Sequence, residues 1–176
     1  MSKFVIDSLH SEIEFKVKHL MISTVTGRFT NFTAELTSEK EDFTDAQITF
    51  EADVDSISTS VVDRDNHLKS PDFFDVEKYP KLTFKSTNVS LLDKGYEVTG
   101  LLTIHGVEKE VVLCGEYNGT DKDLYGNIKH GFELSGTIKR SDFGLTFNAT
   151  TDKGGLLVSD DVKLIASVQF IEVVLA

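Results

Sequence analysis

Residues Ser56–Ser86 read SISTSVVDRDNHLKSPDFFDVEKYPKLTFKS, and here the hydrophobic period of the chain changes. On either side, apolar and polar residues alternate at period two, as in half-buried strands. Ser60-Val61-Val62-Asp63 has the form of a helix N-cap with a carboxylate three positions on: Ser60 can accept from first-turn amides, and Asp63 suits their positive end. Ser70 precedes Pro71, and a residue before proline is pushed out of the α region, so the helix stops there. Pro71 fits the first position of a second short turn, Pro71 to Asp75, with Ser70 as its cap. That turn carries Phe73 and Phe74, and Tyr79-Pro80 returns the chain to an extended form. The stretch predicts a short helical insert, about residues 60–75, that covers or lines the opening of a β-barrel.

Working outward, Phe4 to Val17 starts a sheet, with Ile13, Phe15 and Val17 alternating against Glu12, Glu14 and Lys16. His19 to Ser23 reads as a turn, and Thr24 to Leu36 as a second strand with Gly27 at a bulge or bend. Ser38 to Asp42 is a charged loop. Ala46, Ile48, Phe50, Ala52 and Val54 form a clean alternating face before the insert, and Leu82 and Phe84 resume it afterwards. Asp93-Lys94-Gly95 and His105-Gly106 mark hairpins. Asn118 to Gly126 and Thr150 to Asp161 read as loops, and Val162 to Leu175 as the last strand, covered on both faces towards its end. The pattern predicts about eight strands and no βαβ alternation, hence an antiparallel sandwich or barrel. The long strands favour a barrel, which leaves no edge exposed.

Charge and composition narrow the function. With 18 basic and 29 acidic residues, the formal charge of −11 argues against nucleic acid, which is bound through basic groups, and against a surface that adheres to anionic membranes. No stretch approaches the ~20 apolar residues of a membrane span, so no stable membrane insertion is expected. The N-terminus lacks the apolar core of a signal peptide. The expected location is the cytoplasm, or the periplasm if a leader has been trimmed away. The single cysteine, Cys114, lies in an apolar run and reads as buried and inert. The 176 residues read as one domain.

Several motifs together carry a family resemblance. They are Asp7-x-x-His10-Ser11 with Phe15 and His19, then Ser56-Ile57-Ser58-Thr59, Arg64-Asp65-x-His67-Leu68, Phe73-Phe74-Asp75 and Tyr79-Pro80. Phe84-x-Ser86, Gly100-x-Leu102-Thr103-x-x-Gly106 and Arg140-Ser141-Asp142-Phe143-Gly144 follow, up to Asp160-Asp161-Val162. In order and spacing the chain resembles the YceI family of polyisoprenoid-binding, lipocalin-like proteins. The resemblance implies an all-β, extended eight-stranded antiparallel barrel with a helical element near its mouth. It also implies an apolar channel for a long isoprenoid or similar lipid, with no cofactor beyond that ligand.

Phe15, Val17, Phe29, Phe32, Ile48, Phe50, Phe84, Leu102, Phe132, Leu134 and Phe143 are the candidate channel lining, and Phe73 and Phe74 would contact the lipid or plug its entrance. From the residues alone the same set describes a filled core, since an eight-stranded barrel is just wide enough for its own side chains or one small ligand. The resemblance reverses that preference. Arg64 and His67 are candidates for a head group at the mouth; the local alternative is that Asp63 pairs with His67 while Arg64 and Asp65 brace the loop. The five histidines have no close metal-ligand spacing, and there is no G-x-S-x-G elbow. The expected protein is a non-enzymatic lipid binder for carriage, storage or sequestration, monomeric or homodimeric, with a quinone or polyprenyl type of ligand. The alternatives are an enzyme using Arg64, Asp65 and His67 on a small apolar substrate, or a packed structural barrel.

Overall fold

The computed structural model describes residues 1–173. Its strands are β1 (Ser2–Ile6), β2 (Glu12–His19), β3 (Ser23–Phe29), β4 (Phe32–Ser38), β5 (Gln47–Asp53), β6 (Ile57–Ser58), β7 (Lys81–Leu91), β8 (Tyr96–Ile104), β9 (Val107–Lys122), β10 (Ile128–Lys139) and β11 (Val158–Val173). Helix α1 (Val62–Lys69) lies between β6 and β7. The order β1-β4-β5-β7-β8-β9-β10-β11, with β11 pairing back onto β1, closes an eight-stranded antiparallel barrel.

The other segments are continuations. On one edge of β11, Phe170 faces Ile6 of β1 and Ser167 faces Glu12 of β2. Thus β1 and β2 form one long strand, bent at Ser8–His10; β3 and β4, and β5 and β6, do the same. Side chains replace the ladder at the bends. Asp7 accepts from the Leu9 amide (3.2 Å), and Ser56 Oγ accepts from the amides of Thr30 (3.1 Å) and Asn31 (3.0 Å). Two predicted strands therefore appear as four segments, β6 prolongs a third beyond its predicted end at Val54, and the eight-stave reading stands.

Alternation sets the faces. Ile13, Phe15 and Val17 of β2 point inward opposite Ala166, Leu164 and Val162 of β11, while Lys16 and Lys163 meet on the outside. Two hairpins, the insert and residues 140–157 gather at one end of the barrel, called here the insert end. The chain start, the Ser38–Ala46 loop and the β9–β10 turn gather at the far end.

Several local expectations need correction. Ser60 does not cap α1. Its φ is +68°, the N-cap is Val61 with no side-chain cap bond, and Asp65 within the helix instead reaches back to accept from the Thr59 amide at 2.7 Å. His67 pairs with Asp72 (2.9 Å) rather than Asp63. Pro71 to Asp75 is a run of turns and not a helix, although Ser70 Oγ does accept from the Asp72 amide (3.3 Å). Gly27 is no bulge: its ladder to β2 is regular. β9 runs on to Lys122, so the polar loop shrinks to 123–127, and β11 begins at Val158. Cys114 is exposed, because Val111 and Leu113 take the inner face and put Val112 and Cys114 outside. The predicted end of the last strand, 174–175, lies outside the described residues.

Candidate functional site

A cavity of about 210 Å³ lies inside the barrel, from the insert end inwards. Every stave adds inward positions to it, among them Phe15, Ile48, Phe50, Phe84, Leu113 and Leu164. Only two charged residues border it, Glu14 and Arg140. Alternation puts the Glu14 side chain on the outer face, opposite Arg28, so it borders the cavity through its backbone. A second cavity of about 40 Å³ lies towards the far end, and Ile48 and Leu134 belong to the walls of both.

Four glycines make room for this lining. Side chains from neighbouring strands lie flat against them: Phe15 on Gly27, Phe84 on Gly100, Leu134 on Gly115 and Leu113 on Gly136. Any Cβ there would come within 2.8 Å of the side chain above it. Each glycine thus lets a large group lie along the wall rather than across the lumen.

The insert closes one end. Of α1, Leu68 reaches the cavity wall, together with Phe73 and Phe74 from the turns that follow. Phe74 packs edge-on against Phe29 at 6.3 Å. Phe73 meets Phe147 at 4.9 Å, and the His67 ring covers both at 5.0 Å. Arg64 and Asp65 both bind Thr59. Arg64 donates from Nε to its hydroxyl (2.8 Å) and from Nη2 to its carbonyl (2.6 Å), and Asp65 accepts from its amide and hydroxyl. Neither Arg64 nor His67 is part of the cavity wall.

Arg140 holds the opposite lip. It is buried, and it donates to the carbonyls of Ser159 (2.8 Å), Leu145 (2.8 Å), Phe147 (2.7 Å) and Val158 (3.2 Å). Burial pulls its pKa down, partly countered by the charge of Asp160. One guanidinium thus ties both ends of the segment that supplies Leu145 and Val158 to the wall and Phe147 to the insert. Asp160 adds to this by accepting from the amide (2.9 Å) and hydroxyl (2.8 Å) of Ser141.

The far end is an aromatic plug. Phe43, carried by a charged loop, has Phe4, Tyr117, His130 and Phe132 ring centroids within 5.3–5.7 Å. Asp45 folds that loop back, accepting from Ser38 Oγ (2.6 Å) and the amides of Glu39 (2.9 Å) and Lys40 (3.2 Å).

The structure therefore brings Phe15, Val17, Phe29, Ile48, Phe50, Phe73, Phe74, Phe84, Leu102 and Leu134 onto one wall. Three candidates lie elsewhere. Phe32 stacks on Phe50 and fills a second core cluster with Phe29, Ala52, Val54 and Ile57. Phe132 lines the small far cavity. Phe143, only 1% exposed, is core beneath the Arg140–Phe143 turn. Sequence reasoning missed Ile13, Val111, Leu113 and the row Val162, Leu164, Ala166, Val168 and Phe170. Period-two spacing was the available signal for Ile13 and the β11 row, whereas Val111 and Leu113 lie in an unbroken apolar run that hides it. Among the described residues no three His, Cys, Asp or Glu side chains converge as a metal site, and no helix is long and apolar enough to cross a membrane.

Comparison with known proteins agrees with this architecture. The YceI-like domain pattern matches residues 4–170. A UPF0312 protein of Staphylococcus epidermidis is 40% identical over 97% of this chain and 98% of its own, and one from Staphylococcus aureus is 38% identical over the same shares. The Campylobacter jejuni YCEI protein superimposes with a TM-score of 0.74 at 35% identity, covering 89% of this chain and 90% of that one. A polyisoprenoid binding domain from Saccharophagus degradans shares the fold, with a TM-score of 0.67 at 17% identity over 96% and 97% of the two chains. With its pattern matched almost end to end and near-full-length relatives at this identity, the chain belongs to the YceI-like domain family.

Proposed function

We propose that the protein binds one long apolar lipid inside the barrel, with an isoprenoid-type tail, and carries, stores or sequesters it without chemical change. The observation that carries this reading is the cavity of about 210 Å³, whose wall side chains are apolar apart from Arg140. The fold shared with a polyisoprenoid binding domain supports it. Burying a methylene is worth about 0.8 kcal/mol, so a few isoprene units supply on the order of 10 kcal/mol before association costs. A head group adds one or two hydrogen bonds of roughly 0.5–1.5 kcal/mol each. Selection on this reading acts on tail length and shape, with a quinone or a polyprenol equally acceptable at the head. The polar atoms of Arg64, Asp65 and His67 are engaged with Thr59 and Asp72, which favours a brace over a reaction centre.

Solvent extraction of purified protein followed by mass spectrometry tests the reading. A stoichiometric prenyl-tailed species, or uptake of ubiquinone or polyprenol from ethanol solution, is the expected result. Empty protein that refuses both overturns it.

A further inference from the structure

The β2–β3 hairpin breaks two rules at one spot. Its three-residue loop, Leu20 to Ile22 between the paired His19 and Ser23, holds a β-turn closed by the Ile22 amide on the His19 carbonyl (3.2 Å), with Leu20 and Met21 at φ +53° and +59°. Positive φ at both central positions calls for Asn-Gly or a similar pair. The β8–β9 turn obeys that rule with His105-Gly106. At the β2–β3 tip the chain instead places two large apolar residues, Leu20 and Met21, in a strained conformation and leaves the tip in water: Leu20 is 39%, Met21 60% and Ile22 82% exposed. Neither choice aids folding. Strain that persists in this way points towards function.

The location is informative. Val17, three residues before the tip, lines the cavity, and the Leu20 amide donates to the Leu157 carbonyl at 2.8 Å, tying the tip to the lip that Arg140 holds. Leu156 on that lip is exposed too. Charge completes the picture. On the outer face behind the tip, Lys16 of β2 stands directly opposite Lys163 of β11, with Lys18 beside them. Like charges directly opposite destabilise a ladder. None of the three lysines has an ion pair among the described residues, and the neighbouring Asp161 is engaged by Lys139. This basic patch lies roughly 13 Å from the tip at strand rise, on a chain whose net charge is −11.

We infer that Leu20, Met21 and Ile22 form a docking finger that enters the interfacial layer of an anionic lipid bilayer, with Lys16, Lys18 and Lys163 against its head groups, so that the insert end of the barrel faces the source of its ligand. This rests on the lipid-binding reading, since a bilayer is where long apolar tails reside. Burial in the interface removes the exposed apolar surface from water, and the anionic head groups relieve the lysine repulsion.

The test is co-sedimentation of the full chain with vesicles of mixed phosphatidylglycerol and phosphatidylcholine, and with phosphatidylcholine alone. Wild type is expected on the mixed vesicles, more weakly on the neutral ones, and to be released by salt. The variant Leu20→Asn/Met21→Gly/Ile22→Thr gives the turn the residues it prefers, so its Tm should equal or exceed wild type while its partitioning falls by ~10-fold or more. Lys16→Gln/Lys163→Gln should lose only the preference for anionic vesicles. Absence of wild-type binding, or tip-variant binding equal to wild type, overturns the inference. So does a tip variant that converts a dimer to a monomer in sedimentation while leaving vesicle binding intact, which would assign the finger to a second copy. Ligand uptake from ethanol solution, run without vesicles, separates a failure of docking from a failure of the lipid-binding reading.

Discussion

The Phe15 ring lies flat on the backbone of Gly27 across the β2–β3 ladder: a Cβ at residue 27 would stand 2.1 Å from Phe15 Cζ. Gly27→Ala therefore drives the ring into the lumen or the strands apart. Overpacking of this kind costs about 1–3 kcal/mol. We expect lower stability and weaker lipid retention together, with Gly27→Ala costing little in a Phe15→Ala background. Denaturant unfolding of the four proteins measures the coupling, and purely additive effects would refute the contact.

Leu134 and Ile48 divide the large cavity from the small one, and Leu134 sits back on Gly115, where a Cβ would lie 2.7 Å from its Cδ2. Leu134→Ala should join the cavities and shift the bound population towards longer tails. Gly115→Ala should push Leu134 into the passage and shift it towards shorter ones. Mass spectrometry on proteins offered a ladder of prenyl lengths reads both; identical profiles would show that the partition does not set length.

Asp65 is the anchor of the insert, because its carboxylate holds both the amide and the hydroxyl of Thr59. Asp65→Ala leaves the amide and hydroxyl of Thr59 without their acceptor, at a cost of about 1–3 kcal/mol. Hydrogen exchange in Val62–Lys69 should accelerate, and bound lipid should leave faster, with the barrel's circular dichroism intact. An unaltered release rate would mean that the insert does not gate the cavity.

The carboxylates at the far end hold their charge well into acid. Asp123 is held down to about 2 from 3.8, chiefly by the Asn127 side chain and then by backbone amides. Burial raises Asp7, but hydrogen bonds from Lys129 and His10 more than offset it, so its pKa is also lowered. Carboxylates with depressed pKa values stabilise the fold above their ordinary pKa, and that contribution is lost as pH falls through the lowered value. Carbon-detected NMR titration should place the Asp123 midpoint near 2, and Asp123→Asn should remove the corresponding loosening of the 123–127 turn. A midpoint near 4 would contradict the geometry.

Cys114 faces solvent, so the folded protein should release a full equivalent of thiol to Ellman's reagent without denaturant. Protection until unfolding would mean that the strand register of β9 is wrong.

Much of the architecture could be read along the chain because a barrel stave obeys a strictly local rule. Ile48 and Phe50, or Phe84 and Leu102, announce their inward faces through neighbours at period two. The same rule fails where an apolar run hides its parity, as at Val111 to Cys114. It also says nothing of depth, so Phe32 and Phe132 looked equivalent to Phe29 and Leu134. Arg140 was visible only as part of a motif, because its partners are carbonyls that converge in three dimensions. Phe43 stood in a charged loop, and nothing nearby in sequence revealed that Asp45 would fold it inward. Ser60 looked like a cap because its local pattern is right, but its backbone turns to φ +68° and the N-cap position falls to Val61.

One strand closes the whole molecule. Along a single edge of β11, the far half pairs with β1, where Lys3 faces Val173, and the near half with β2. The first stave thus has no partner on that side until the last one has been synthesised. Such long-range closure makes for slow folding. It also sets a sequence of events: until the ribosome has released β11 the barrel is an open sheet, its apolar face is a hazard for aggregation, and no enclosed cavity exists. On the lipid-binding reading, a ligand can be enclosed only after β11 has joined β1, so the staves must assemble without help from bound lipid.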